Sequence, residues 1–439
     1  MLQNFWLKPA PHLMRGFNQG IEDRLYGFIP PLLLIYIFFQ PFNHFAGIKN
    51  TAFILMSLLF LIKITRKGIN IHWKDSTIIA LFILGLVILI SIFLSNYVID
   101  SLNAFRKNFL YQTVAFFVIV TEFHEVEKLK ALLHTVIVSF ITVTLIIFIK
   151  NPPANLLNIL EVKAQKETFL RGYALNAAFY VPFTIGYLFS TKDRLSIKAF
   201  YWLMLLAEFV LVWLYYSSRT TLAAVLAAGV IMIVMSKRYK MLLAMLIVFL
   251  GVGIITYFKK PELLERHKTL LYPATYMTNE GLSGRLGIWK GTIDMIKDRP
   301  ALGYGYGWKK IAIVAREEGY LERWKEKWPD TYDFFEKGGY GRASPHNLIL
   351  QILFEVGILG LLAFMLFWAT VFLKTTGIIK KGCASELSCF VKYGVLGVLV
   401  AYSIINITNS LWEETYGVLT FALSAITVVI YEQNRCKNH

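Results

Sequence analysis

The chain has 439 residues, of which 56% are apolar and 17% charged, with 15% aromatic and a mean hydropathy of +0.54. That balance excludes an ordinary soluble domain, because the apolar residues run in blocks of about 17 to 22, the length that crosses a hydrocarbon core of roughly 30 Å. The formal net charge of +17 falls mostly in short loops between these blocks, where it reads as an orientation signal and not as a surface for nucleic acid.

Residues 1–24 are polar and broken by Pro9, Pro11 and Gly16, without the apolar core and cleavage site of a signal peptide, so the first span is expected to stay as an anchor. In chain order the apolar blocks predict about twelve transmembrane helices, near 26–42, 48–64, 77–95, 107–121, 131–149, 173–190, 199–216, 219–235, 241–258, 347–372, 393–409 and 415–431. With the N-terminus in the cytoplasm, the cytoplasmic segments hold roughly 21 Lys plus Arg, among them Lys63, Arg66, Lys67, Lys237, Arg238, Lys240, Lys380 and Lys381, against roughly 8 in the short outer loops. Both termini then face the cytoplasm. The expected fold class is an all-α polytopic membrane protein with a nine-span region over 1–258, one large extracytoplasmic helical loop over 259–346 and a three-span region over 347–439. Cys383, Cys389 and Cys436 lack metal-ligand spacing and have no distant partner, so neither a disulfide framework nor a zinc site is expected.

The loop 259–346 carries about 16 Lys plus Arg and about 12 Asp plus Glu, and loops of this length escape the charge rule. Ser283 can cap a helix whose Leu286, Trp289, Ile293 and Ile296 recur at helical spacing, and Pro300 ends it. A second helix is expected from about Trp308 to Trp328, with Leu321, Trp324 and Trp328 on one side at headgroup level. Glycine-rich turns at Gly303–Gly307 and Gly338–Gly341 make the whole a hinged cap over a cavity.

Soluble-enzyme motifs are absent, so the chemistry falls to polar residues at the outer face. His346 sits where the loop re-enters the membrane, in Ser344–Pro345–His346–Asn347, on a backbone stiffened by Pro345. Histidine accepts a proton near neutral pH, which makes it a candidate base; the other reading is a helix-terminal histidine bonded to backbone or headgroups. Arg285 opens the first loop helix, Arg219 starts the eighth span beside Thr220 and Thr221, and Arg171 precedes the sixth. An arginine near a span end either snorkels or binds an anion, and its planar fork suits phosphate oxygens. Glu413 and Glu414 in the last outer loop are candidate orienters of the base, with Asn347 beside it. Glu208 and Glu355 lie inside spans and must be paired, protonated or facing a cavity. Glu122, His124, Glu125 and Glu127 have a metal-like composition but fall in a cytoplasmic loop, where a solvated loop is the simpler reading.

The stretch Ser283–Gly284–Arg285–Leu286–Gly287–Ile288–Trp289, then Arg299–Pro300–Ala301–Leu302–Gly303–Tyr304–Gly305, then Pro345–His346–Asn347 leading into Gly357–Ile358–Leu359–Gly360, resembles the signature of the O-antigen ligases and polymerases of bacterial envelopes. The likeness covers about 80 residues, and the twelve-span layout with one late outer loop extends it. It implies transfer of a polysaccharide from an undecaprenyl diphosphate carrier in the inner membrane, on the periplasmic side, to a lipid A-core sugar for the ligases or to a second carrier-linked glycan for the polymerases. Chemically the donor needs anion stabilisers for its diphosphate, and the acceptor hydroxyl needs a base worth about 10²–10⁴ in rate. His346, Arg219, Arg285 and Arg171 suit those roles, with no metal or cofactor required. The first outer loop reads Asn43–His44–Phe45–Ala46, without the acidic ligands of the metal-dependent oligosaccharyltransferases; His44 is a further polar group for the cavity. The "HN" and the arginine pair look more like the ligase branch. A flippase of lipid-linked sugars shares the span count, but a transporter should show internal repeats and midplane charges, and the candidates here cluster at one face.

Overall fold

The structure is a computed structural model, and it describes residues 22–42, 45–68, 71–150, 168–214, 219–259, 261 and 284–436, by backbone alone at 168–171, 214, 259 and 436. Among the described residues there is no strand. The helices of the first region are α1 (Ile29–Phe38), α2 (Ala46–Lys67), α3 (Ser76–Phe93), α4 (Val98–Phe105), α5 (Tyr111–Glu122), α6 (Val126–Lys150), α7 (Thr168–Ser190), α8 (Leu195–Leu214), α9 (Arg219–Ser236) and α10 (Tyr239–Lys259). The loop contributes α11 (Arg285–Asp298), α12 (Ile311–Glu317), α13 (Tyr320–Lys327) and α14 (Pro329–Lys337). The last region holds α15 (Leu348–Lys381), α16 (Glu386–Phe390), α17 (Leu396–Ile405) and α18 (Glu414–Cys436). A helix closes every backbone hydrogen bond within itself, which is what a chain without water requires.

Nine helices among the described residues are long and apolar enough to cross a membrane: α2, α3, α6, α8, α9, α10, α15, the run Glu386–Ile405 and α18. The three other expected spans also fall on helices. One is α1. The second is α4 to α5, made continuous by a π-helical turn at Arg106–Leu110. The third is α7, with Pro182 inside.

The two ends of the bundle are defined by their contacts. At the end away from the loop, Lys63 pairs with Glu122 at 2.6 Å, Lys374 with Asp75 at 2.7 Å and Lys130 with Glu386 at 2.8 Å. Asp75 also caps α3, accepting from the backbone N–H of Thr77 and Ile78. At the loop end, Thr415 donates to the Gln40 carbonyl, Asn108 to Glu413 and Leu348 N–H to the Asn406 carbonyl. The helical stretch ending at Gln40 begins beside Arg66 and Lys67, which pair with Glu22 and Asp23 at the opposite end. Likewise α7 has Gly172 beside Tyr416 at the loop end and is followed by Lys192, whose N–H meets Glu386 at the other.

The bundle core and the loop core are separate clusters. Ile288, Met295, Ile311, Val314, Trp324 and Phe335 bury each other in the loop, joined by Phe354 of α15. Two expectations are corrected here. The second loop helix is not continuous over 308–328: a 3-10 turn at Trp308–Lys310 is followed by α12, a break at Gly319 (φ +77) and α13, which ends at Trp328 before Pro329. Trp324 is fully buried in the loop core, not at headgroup level, because a helix this short has to spend its apolar face on its neighbours. On α11 the inward face is Ile288, Gly291, Thr292 and Met295, while Leu286 and Ile293 are exposed. A methyl at Gly291 would collide with Thr331 and Phe335 of α14, so the small residues set which face packs. Ser283, the expected cap, lies outside the described residues. Cys383 and Cys389 are joined as a disulfide, which the sequence reading did not expect; Cys383 follows Gly382 (φ +81), where α15 ends, and Cys389 lies in α16.

Candidate active site at the loop end of the bundle

The loop is sewn into the bundle where α15 breaks. Gly357 has φ +64 and ψ −166 inside α15, so the helix loses local hydrogen bonds there. The segment after α11 completes them: Ile358 N–H donates to the Pro300 carbonyl at 2.8 Å, Leu359 N–H to Ala301 at 3.2 Å, and Tyr304 N–H to Phe354 at 2.8 Å. Ser91 near the end of α3 donates to the carbonyls of Leu302 and Glu355, and Ser95 to that of Tyr304. Irregular backbone at this depth is stable only when protein satisfies it, and here each exposed group finds a partner. The glycines follow from the close approach. A side chain at Gly303 would strike the Phe354 carbonyl, at Gly305 the hydroxyls of Ser95 and Ser101, and at Gly307 Ala104.

Beneath this turn lies a buried charged cluster. Lys310 Nζ donates to the carbonyls of Gly305, Tyr306 and Gly307 at 2.6, 2.8 and 2.8 Å, using all three of its protons. Burial pushes its amine down to about 8, against the pull of Glu355, Glu413 and Asp100. Glu355 accepts from Gln351 at 2.6 Å, and Glu413 accepts from Asn108 at 3.1 Å. Burial, then the neighbouring Glu355 and Glu414, push the Glu413 carboxyl well above its ordinary value. Asn108 lies in the π-helical turn, where the extra residue lets its side chain hold both Glu413 and the Glu414 N–H.

His346 stands just before the start of α15 with φ +49, a left-handed conformation that histidine tolerates better than most residues. Its N–H meets the Ser344 hydroxyl at 3.3 Å, and the side chain is half-buried. Asn347 caps α15 by accepting from Leu350 N–H at 3.0 Å, and its amide donates to the Ile407 carbonyl. The adjoining Thr408 hydroxyl bonds Thr220 at 2.7 Å, which brings the start of α9, and with it Arg219, to the same corner. Glu414, also left-handed at φ +54, pairs with Lys309 at 2.9 Å, and the Lys309 carbonyl accepts from Gly341 N–H, four residues before Pro345.

Of the residues singled out in the sequence, His346, Asn347, Arg219, Glu413 and Glu414 therefore meet around one connection, 406–414. Arg285 opens α11 at the same end of the bundle, where Gly287 rests on Asp330 and Thr331 of the loop core. Arg171 begins α7 but its side chain, like His44, lies outside the described residues. Glu355 proves to be a member of the buried cluster. Glu208 is buried in α8, in the neighbourhood of the Tyr173 phenol of α7. Glu122 pairs with Lys63 with its carboxyl largely covered, Glu125 pairs with Lys128, and His124, Glu125 and Glu127 are exposed. The sequence reading missed Lys310, Asn108, Ser91 and Ser95. Only Lys310 left a signal, as a lysine three residues past a Gly-x-Gly-x-Gly turn.

Residues 199–365 match the family described as O-antigen ligase. A protein of Rickettsia felis named "Putative polysaccharide ligase" is 31% identical over 153 residues, 34% of this chain. The chain spans about a third of the length of the first relatives it matches. The O-antigen ligase of Pseudomonas aeruginosa is 26% identical over 35% of this chain and 30% of its own. That of Salmonella typhimurium is 24% identical over 341 residues, 74% of this chain and 78% of its own. The match runs from α8 through the loop to the first half of α15, and over this part the chain is similar to the O-antigen ligase family, a family of enzymes.

Proposed function

We propose that the chain is an inverting glycosyltransferase that moves O-antigen polysaccharide from undecaprenyl diphosphate to a lipid A-core sugar hydroxyl. Its setting is the bacterial inner membrane, with twelve spans, both termini cytoplasmic and the loop in the periplasm. The observation that supports the reading best is the corner where α9 and α15 begin: the Thr220–Thr408 and Asn347–Ile407 contacts join a guanidinium-bearing helix start to a histidine-bearing one. The match to the ligase family supports the substrates.

In this reaction the acceptor oxygen attacks the anomeric carbon, and the bond from that carbon to the diphosphate breaks. The hydroxyl proton passes to His346, whose proline-held, half-buried position suits a base that must meet a sugar from the periplasm. Negative charge grows on the departing diphosphate. Arg219, at a helix N-terminus whose free N–H groups also favour anions, answers it together with Arg285 and Arg171. Asn347 and the Lys309–Glu414 pair hold the corner in register. Membrane lipids keep both tethered substrates at one depth, and holding them together supplies much of the remaining acceleration. The scheme calls on no metal ion.

The test is transfer by purified, reconstituted protein given undecaprenyl-diphosphate-linked glycan and lipid A core, wild type beside His346→Ala. Glycan on the core, reduced about 10²-fold or more in the variant, is the expected result. Longer carrier-linked chains identify a polymerase instead, and wild-type transfer by the variant removes His346 as the base.

A further inference from the structure

Two carboxyl oxygens of the buried cluster are left without a donor. Glu355 Oε1 takes the Gln351 amide, and the Gly307 N–H faces the same carboxyl. Glu413 Oε2 takes the Asn108 amide. The remaining oxygens, Glu355 Oε2 and Glu413 Oε1, are buried with no donor, and the two carboxyl groups are close neighbours in contact through their charge. Two ionised carboxylates have only acceptors to offer, so that contact holds only with a proton in it. Lys310 does not supply one, since its three N–H bonds end on the carbonyls of Gly305, Tyr306 and Gly307.

We infer that Glu355 and Glu413 hold one proton between them and, with Lys310, act as the positioning joint that fixes the Gly303–Gly307 turn against the 406–414 connection. The role in transfer rests on the function proposed above; the shared proton does not.

Charge accounting leads to the same state. One lysine cation and one proton-sharing pair of carboxyls sum to zero, whereas two ionised carboxylates leave a net negative charge in a fully buried site. The surrounding charges do not reverse this preference. Lys309 and Glu414 neutralise each other, and the phenols of Tyr306, Tyr340 and Tyr402 are uncharged. Asp100 of α4 faces Lys310 and Tyr340 and adds negative charge, which favours retention of the proton, while Lys49 of α2 faces Glu414. The joint ties three separate parts of the chain: the loop turn through Lys310, the kinked α15 through Glu355 and the connection before α18 through Glu413. His346 and Arg219 adjoin the start of that connection, their neighbours Asn347 and Thr220 bonding Ile407 and Thr408. The members of the joint position these groups and touch no substrate themselves.

The experiment uses the full chain in lipid nanodiscs. Infrared spectroscopy in deuterated buffer at neutral pH is expected to show a protonated-carboxyl component in the wild type that disappears in Glu413→Gln and in Glu355→Gln. The component persisting in either variant overturns the shared proton. In the transfer assay, an amide at 413 restores the missing donor and an alkyl group does not, so Glu413→Gln is expected to retain at least about tenfold more transfer than Glu413→Leu. Equal rates in the two variants overturn the positioning role. If wild-type protein transfers to neither acceptor, the reading of function fails by itself, and the infrared result still decides the proton.

Discussion

Two side-chain types at the site differ in what a conservative change removes. Arginine presents a planar fork that meets two phosphate oxygens at once, whereas lysine presents a mobile point charge. At Arg219 and Arg285 we therefore expect Arg→Lys to lose most of the donor interaction. Charged hydrogen bonds of this kind are worth roughly 1.5–3 kcal/mol, or roughly 10- to 100-fold in kcat/KM for the carrier-linked donor. Full activity in both lysine variants would show that the two arginines serve only as charge or as snorkelling anchors. His346 and both arginines stand out in the sequence as candidates because each stands at a helix start next to a proline, a glycine or hydroxyl residues, and the structure keeps them at helix starts. Lys310 was not. Its burial depends on the 303–310 turn closing over α15 forty-five residues later, and a lysine among charged neighbours otherwise reads as solvated. Glu355 was legible as a problem, a carboxyl inside a span, while its partners come from the preceding turn of its own helix, the 303–310 turn and the last connection, which no local pattern joins.

At the scale of elements, the union of the Pro300–Gly307 turn with the break in α15 is what holds the loop over the site. The glycines there are required by geometry. Gly303 has φ +64 and its missing side chain leaves room for the carbonyls of Phe354 and Glu355. An alanine adopts that conformation at a cost of about 1–2 kcal/mol, and forcing a methyl into a packed interface adds about 1–3 kcal/mol. Gly303→Ala is thus expected to lower the thermal midpoint of the purified protein and to open the loop to limited proteolysis. Gly339→Ala, where nothing lies within 4 Å, is the matched control and should leave both unchanged. The same midpoint and cleavage pattern in Gly303→Ala as in wild type would mean the turn is not held as described. Hydropathy located the elements of the bundle but misjudged those of the loop. Blocks of apolar residues report spans directly, whereas α11 to α14 choose their inward faces by where small residues let a neighbour approach, and α13 turns its tryptophan into that private core. Periodicity alone cannot separate such a face from one that lies on a membrane.

For the whole molecule the orientation in the membrane is the remaining step, and the charges already divide the ends. The end away from the loop holds Lys63, Arg66, Lys67, Lys128, Lys130, Lys374, Lys380 and Lys381, several of them in pairs with acidic groups. Excess lysine and arginine in short connections marks the cytoplasmic side, while the long loop is exempt. With Cys383, Cys389 and Cys436 replaced by serine, single cysteines can be set at Lys325 on the exposed side of α13 and at Lys381 at the exposed end of α15. A membrane-impermeant maleimide added to intact spheroplasts should label Lys325→Cys and leave Lys381→Cys untouched until the membrane is opened. The reverse pattern would put the loop, and with it His346 and Arg219, in the cytoplasm. That outcome would remove lipid A core as the acceptor, because a transfer completed on the cytoplasmic face would meet the carrier before its glycan had crossed. Labelling of both positions in intact cells would instead mean an even number of crossings between α13 and the end of α15, and α15, at 34 residues and broken at Gly357, is the helix whose path would have to be redrawn.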